Sequence, residues 1–164
     1  MATKVEYAAK VTVLETLSTA VPGAADPTLT QAGYNTEGSF SSTSTPPTTK
    51  SVVNTVALVA GAKTIDLTAL TGINGATVDF TGLKVQFVKC RNPSANTGAI
   101  TVQAGAANAY NLLGASWKVI LQTGDEFTWK GSDDSGVPDV ASGVKNIDLA
   151  GTGTESLEVV LVAG

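Results

Sequence analysis

Histidine is absent from this 164-residue chain, and cysteine occurs once, at Cys90. Imidazole and thiolate are the usual protein ligands of zinc, copper and iron, so sites of the usual kinds for these metals are excluded. The missing histidine also removes the commonest general base and the middle member of the usual serine and cysteine triads. We therefore expect a protein that is not an enzyme, with no catalytic residues, no metal and no cofactor. A lone cysteine forms no internal disulfide, and its apolar neighbours predict a buried thiol.

Charged residues make up only 15% of the chain, and the formal net charge at pH 7 is −4. Nucleic-acid binding needs clustered Lys and Arg to displace counterions from phosphates, and the sequence has no such cluster. The longest apolar runs, such as residues 52–62, are far shorter than the roughly 20 residues of a transmembrane helix. Lys4 and Lys10 precede no apolar core of the kind found in signal peptides. We expect no nucleic-acid partner, no membrane, and synthesis in the cytoplasm.

Short apolar runs bounded by Gly, Pro, Asn or Asp fill the chain from residue 51 onward. Alternation of apolar and polar residues is typical of half-buried strands, and it is clearest where Leu83, Val85 and Phe87 are predicted to share one face. The runs are SVVNTVALVA, KTIDLTAL, LKVQFVKC, GAITVQA, AYNLL, WKVILQ, EFTWK, VKNIDLA and SLEVVLVA. The sequence contains no long helical pattern. We therefore predict an all-β fold, an antiparallel β-sandwich or jelly-roll-like body of about 8 strands.

Eight of the nine aromatic residues divide into two groups by their surroundings. Those in apolar patterns are expected in the core: Phe80, Phe87, Trp117, Phe127 and Trp129. Tyr7, Tyr34 and Tyr110 remain as candidates for contact with a ligand or partner.

The first 50 residues differ in composition from the rest. Residues 3–21 contain β-branched residues and alternation at Val11 and Val13, which predicts a strand. Residues 22–50 are dense in Thr, Ser, Gly and Pro and end in SSTSTPPTTK, which predicts either an arm that drapes over a partner or a disordered linker. We therefore assign an N-terminal strand and extended Thr/Ser/Pro-rich arm to residues 1–50 and the β-sandwich body to residues 51–164.

Two short patterns resemble chemical motifs. Ser142 and Lys145 have S-x-x-K spacing, but they precede a β-like run and not the helical turn that such enzymes require. The loop of residues 131–139 carries Asp133, Asp134 and Asp139, whose carboxylates suit a hard cation such as calcium. It lacks the residue order of a calcium loop. We interpret it as a solvated hairpin loop and leave cation binding there open.

Several stretches of the chain resemble a recurrent set of small virion proteins of tailed bacteriophages. The similarity is carried by IDLTAL, DFTGLKVQ, RNPSANTGAITV and TGTESLEVVLVAG, and it covers most of residues 44–164. The N-terminal KVTVLETLSTAVPGAADPTLTQAGYNT is similar to the start of such proteins. The resemblance implies a non-enzymatic structural protein of a phage particle, with a β-sandwich body and an extended arm. It specifies no catalytic residues.

Among virion roles, we expect that of a capsid decoration, or cement, protein on the capsid exterior, made in the cytoplasm of the bacterial host. Its expected partners are the major capsid protein and copies of itself, as a trimer, because threefold decoration sites are frequent in such particles. The assembly contacts are expected in the N-terminal segment, at Val5, Tyr7, Val11, Val13, Leu14, Leu17, Pro22, Tyr34, Pro46 and Pro47. The alternative is a tail-associated receptor- or carbohydrate-binding module, which predicts an exposed cluster of Tyr and Asn side chains.

Overall fold

The computed structural model describes residues 4–16, 24–31, 33, 35–131 and 137–164. The regular secondary structure of these residues consists of β-strands alone. No helix in these residues is long and apolar enough to span a bilayer. The strands are Lys4–Ala9 (β1), Val13–Thr16 (β2), Thr28–Gln31 (β3), Thr36–Ser41 (β4), Lys50–Ala57 (β5), Ala62–Asp66 (β6), Leu70–Thr71 (β7), Thr77–Val78 (β8), Val85–Arg91 (β9), Ile100–Ala104 (β10), Lys118–Leu121 (β11), Glu126–Lys130 (β12), Asn146–Ala150 (β13) and Ser156–Ala163 (β14).

Two four-stranded antiparallel sheets form the body. Sheet I has the order β12-β9-β14-β5, and sheet II has the order β11-β10-β13-β6. The strands pair as if one long hairpin had been rolled up, β5 with β14, β6 with β13, β9 with β12 and β10 with β11. This pairing is the jelly-roll arrangement, which packs two sheets over one core. The predicted all-β sandwich is confirmed, and its two main sheets contain the expected eight strands.

The core lies between the two sheets, where alternate side chains of each strand point inward. In β14, Leu157, Val159 and Leu161 are buried together with Ile100 of β10 and Leu149 of β13. Burying each such aliphatic side chain contributes roughly 1.5–3 kcal/mol. The predicted core aromatics Phe80 and Trp117 belong to this cluster, and Phe127 and Trp129 pack against it. Cys90 is buried there, as predicted.

Strand β9 departs from the strict alternation that its sequence predicts. The register between β9 and β14 shifts where Ala163 pairs with Val85 and Val162 pairs with Phe87, so Gln86 is an extra residue, a β-bulge. Val85 therefore points into the core while Phe87 points to the outer face of sheet I. The prediction that Val85 and Phe87 share a face is wrong, because the bulge reverses the alternation between them.

Two further expectations about residues 109–113 are wrong. The run AYNLL forms only isolated bridges, at Ala109 and Leu112, and no strand. Tyr110, expected to be available to a ligand, is completely buried. Its hydroxyl accepts a hydrogen bond from the backbone N–H of Val85 at 3.0 Å and donates one to the carbonyl of Pro138 at 2.9 Å. The Tyr110 hydroxyl thus links β9 to the loop before β13.

Candidate assembly surface

Within residues 4–41 the chain forms a two-stranded antiparallel ribbon, where the sequence predicted one strand followed by an extended arm. Its proximal part, β1 with β4, runs from the pair Lys4–Ser41 to the pair Ala9–Thr36. Its distal part, β2 with β3, runs from Val13–Gln31 to Thr16–Thr28, offset by one residue from the proximal register. The segment joining β2 to β3 includes residues 17–23. Leu17, Pro22 and Tyr34, predicted as assembly contacts, lie outside the described residues.

The proximal ribbon packs on the outer face of sheet I. Val5 and Tyr7 contact a second buried cluster, formed by Phe40 of the ribbon with Phe87 and Val162 of the body. The Tyr7 ring centroid lies 5.3 Å from that of Phe40 and 6.1 Å from that of Phe87. The β-bulge makes this docking possible, because it turns Phe87 outward. Val5 and Tyr7, expected to contact a neighbouring subunit, therefore contact the body of their own chain.

A glycine opposite Tyr7 lets the ring lie flat across the ribbon. Gly38 pairs directly with Tyr7, and a Cβ added at Gly38 would lie 2.5 Å from the Tyr7 hydroxyl. The ammonium group of Lys130 lies 5.2 Å from the centroid of the same ring, which is within the range of a cation–π contact. Tyr7 is thus the side chain that joins the ribbon to the body.

Replacing Tyr7 with alanine is expected to lower the free energy of unfolding by about 2 kcal/mol, because a half-buried aromatic ring is removed from the second cluster. Denaturant unfolding measures the change. Leu14→Ala is the matched control, since Leu14 lies on the distal ribbon and is 67% exposed; its cost should stay within about 0.5 kcal/mol. Equal losses in the two variants would contradict docking through Tyr7.

The distal ribbon has no buried side chain among its described residues. All four residues of β2 are exposed, Leu14 at 67%, and Leu29 of β3 is 51% exposed. A two-stranded hairpin without a packed face is only marginally stable in water, and its free edges invite pairing. Of the predicted contact residues, Val11, Val13 and Leu14 are on this exposed part of the chain. Sequence reasoning missed Leu29, although its alternation with threonine in TLTQ is a strand signal.

The proline segment is fastened to the body, with Pro46 half-buried and Pro47 exposed. The side-chain amide of Gln86 donates to the carbonyl of Pro47 at 2.7 Å and accepts from the hydroxyl of Thr48 at 2.6 Å. Both Gln86 and Thr48 are buried. The bulged residue therefore serves as the anchor for the chain that leads from the ribbon into β5.

Beside the docked ribbon, the rest of the outer face of sheet I remains uncovered in the described chain. This open face carries the apolar side chains of Val53, Ile73 and Val160 and the ion pairs Lys89–Glu126, at 3.0 Å, and Arg91–Glu158, at 3.6 Å. Together they line a groove of about 600 Å³. Ile73 stands at the tip of the β7–β8 hairpin and is 97% exposed. The turn at this tip contains the Asn74-Gly75 pair, and Gly75 has a φ of +77°.

The S-x-x-K pattern forms part of a tight turn. An isolated bridge pairs Ala141 with Val144, and Ser142 is exposed. The ammonium group of Lys145 lies 2.7 Å from a carboxylate oxygen of Asp66. Burial opposes ionisation of Asp66, but hydrogen bonds from Lys145 and Thr68 outweigh it and lower the pKa of this carboxyl. Lys145 is therefore committed to an ion pair with Asp66.

The acidic loop falls largely outside the described residues, which include Asp139 but not Asp133 or Asp134. In the part of the chain that the structure describes, no group of three or more Cys, Asp or Glu side chains is placed to hold a metal ion. The open face and the distal ribbon both expose apolar side chains to solvent, and both are suited to contact with another protein.

Comparison of the chain with family models, curated proteins and solved structures gives no match.

Proposed function

We propose that this chain is a non-enzymatic structural protein of a bacteriophage particle, and specifically a capsid decoration (cement) protein that binds and stabilises the assembled head shell. The observation that carries the proposal is the distal ribbon, which presents Val13, Leu14 and Leu29 to solvent. Apolar residues on a two-stranded ribbon with free edges are typical of a segment that is covered by a partner. The phage setting comes from the sequence resemblance over residues 44–164.

The docked proximal ribbon supports this role energetically. Because Tyr7 and Phe40 fix the base of the ribbon on the body, the distal part is held near one place before it meets a partner. Pre-organisation lowers the ordering cost of association. Many copies on one shell add avidity, so a weak contact in each copy is sufficient for tight decoration. The partners in this proposal are the major capsid protein and further copies of the chain, as a trimer on the capsid exterior.

The carbohydrate-binding alternative gains no support from the described aromatic residues. Each of their rings is buried or half-buried, including Tyr7 and Tyr110. A sugar platform on a β-sheet needs exposed aromatic faces, and these rings are used for packing instead. We therefore retain the decoration role as the proposal.

A ribbon deletion tests the proposal without disturbing the body. Ala9 and Thr36 pair directly, so residues 10–35 can be replaced by an Asn-Gly turn that closes the proximal hairpin. We expect this variant to melt like the unmodified chain and to lose cosedimentation with capsids that lack the protein. Removal of all residues 1–50 is unsuitable, because it would uncover Phe87 and Val162.

Ile120→Ser is the matched control, since it changes an exposed apolar residue of β11 on sheet II, away from the ribbon. It should bind capsids as the unmodified chain does. Undiminished capsid binding by the deletion variant would contradict the role of the distal ribbon. Absence of the protein from purified particles, judged by mass spectrometry and by density in electron microscopy, would overturn the decoration role itself.

A further inference from the structure

We propose that the open face of sheet I binds the distal ribbon of a second copy of this chain. The inference deepens the proposed function, on which it rests for the premise that copies of the chain assemble with one another. It commits to one contact, between the groove around Val53 and Ile73 and the apolar residues of β2 and β3.

The open face continues a surface that already binds a ribbon segment. One part of the outer face of sheet I, around Phe87 and Val162, is covered by the proximal ribbon of the same chain. No other described residue covers the adjoining part, around Val53 and the half-buried Val160, and Val53 is 61% exposed. The registers place the two parts side by side, since Val162 and Val160 both lie on the outer face of β14. A second ribbon segment laid beside the first would continue the same layer.

The charges of the open face are balanced. Lys89 pairs with Glu126, and Arg91 pairs with Glu158, so each of these cations already has an acidic partner on the same face. Covering such a face leaves no lone charge buried. A partner with a strong charge of either sign would gain little there. The balanced pairs lie on β9, β12 and β14 beside the apolar side chains of Val53 and Ile73, so the face combines apolar surface with polar groups that already have partners, as protein interfaces usually do.

The distal ribbon has a composition that suits this face. β2 reads VLET and β3 reads TLTQ, with Glu15 as the one ionisable residue of the eight. The cross-strand pairs place Val13 on the same ribbon face as Leu29, because Glu15 pairs with Leu29 and lies two residues from Val13. Glu15 shares that face, so the ribbon presents two apolar side chains and a single carboxylate to a groove that carries both apolar side chains and the cations Lys89 and Arg91. The chain thus carries both halves of one contact, which is the condition for a ring or a reciprocal pair of copies.

Two complementary variants test the contact. The ribbon variant carries Val13→Asp and Leu29→Asp, and the face variant carries Val53→Glu and Ile73→Asp. All four positions are exposed, so both variants should keep the melting behaviour of the unmodified chain. We expect the unmodified chain to self-associate in analytical ultracentrifugation, and each variant alone to have a dissociation constant raised by roughly tenfold or more. An equimolar mixture should form a heterodimer, because the face variant supplies an intact ribbon and the ribbon variant an intact face.

Ile120→Asp is the matched control, since Ile120 is 54% exposed and lies on the outer face of sheet II. It should associate as the unmodified chain does. A monomeric unmodified chain at its solubility limit, a mixture that stays monomeric, or a control that loses association would each overturn the inference. These measurements use no particle, so failure of the unmodified chain to bind capsids, with complementation intact, would count against the proposed function alone.

Discussion

Replacing Asn92 with alanine is expected to lower the free energy of unfolding by about 3–5 kcal/mol, because the change leaves several buried polar groups without partners. The Asn92 side chain is buried at the end of sheet I. Its amide nitrogen donates to the carbonyls of Gly98, at 3.0 Å, and Leu121, at 2.9 Å. Its carbonyl oxygen accepts from the amide of Asn96 at 2.6 Å. One side chain thus joins the loop after β9 to the end of β11.

Chemical denaturation with circular dichroism measures this loss, and Asn111→Ala is the matched control. Asn111 is exposed, so its replacement should cost no more than about 0.5 kcal/mol. Asn96 also donates to the carbonyl of Ser156 at 2.7 Å, at the start of β14. We therefore expect amide protection of β14 to fall together with the global stability of Asn92→Ala. A loss no larger than that of the control would contradict the network.

Raising the pH from 9 to 12 is expected to destabilise the fold by about 4 kcal/mol through Cys90 alone. Burial raises the pKa of the Cys90 thiol from 9.0 to about 12. Below pH 9 the thiol is protonated in both states, and its contribution to stability is fully present. Above pH 9 the unfolded chain loses the proton first, so the unfolded state is favoured until the folded thiol also ionises near pH 12.

Tyr110 adds to the same alkaline loss at higher pH. Burial raises the pKa of its phenol from 10.0 to about 12, so its contribution of about 3 kcal/mol is lost between those two pH values. The window from pH 9 to 10 therefore separates the thiol from the phenol. Cys90→Ala should flatten the fall in stability in that window. An unchanged slope in this variant would contradict the role of the buried thiol.

The sequence predicted the sandwich well where one face of a strand is buried and the other is exposed to solvent. EFTWK and SLEVVLVA coincide with β12 and β14, because their alternation matches inward and outward positions. The bulge at Gln86 was not predictable, since it depends on the register between β9 and the distant β14. The strands β3 and β4 were missed because threonine-rich and serine-rich composition is also typical of linkers.

For the assembly surface, the sequence identified an apolar N-terminal segment but not how its residues are divided. Val5 and Tyr7 pack on the chain's own body, whereas Val13 and Leu14 are exposed. Alternation predicts a strand with an apolar face, but it does not tell whether the same chain or another covers that face. Val53 and Ile73 were missed for a related reason: in the sequence Val53 looks like an ordinary strand residue and Ile73 like part of a turn, and only the assembled sheets bring them to one face.

The central place of β14 in sheet I has a consequence for biosynthesis. β14 pairs with β5 on one side and β9 on the other, and both of these strands leave the ribosome well before it. A nascent chain that ends before residue 156 lacks the strand that pairs with both β5 and β9. We expect its incomplete core to be accessible to proteases. We expect folding of sheet I to await the synthesis of β14, because its pairings with β5 and β9 are non-local. We therefore expect chains truncated before β14 to be degraded by proteases faster than the intact chain.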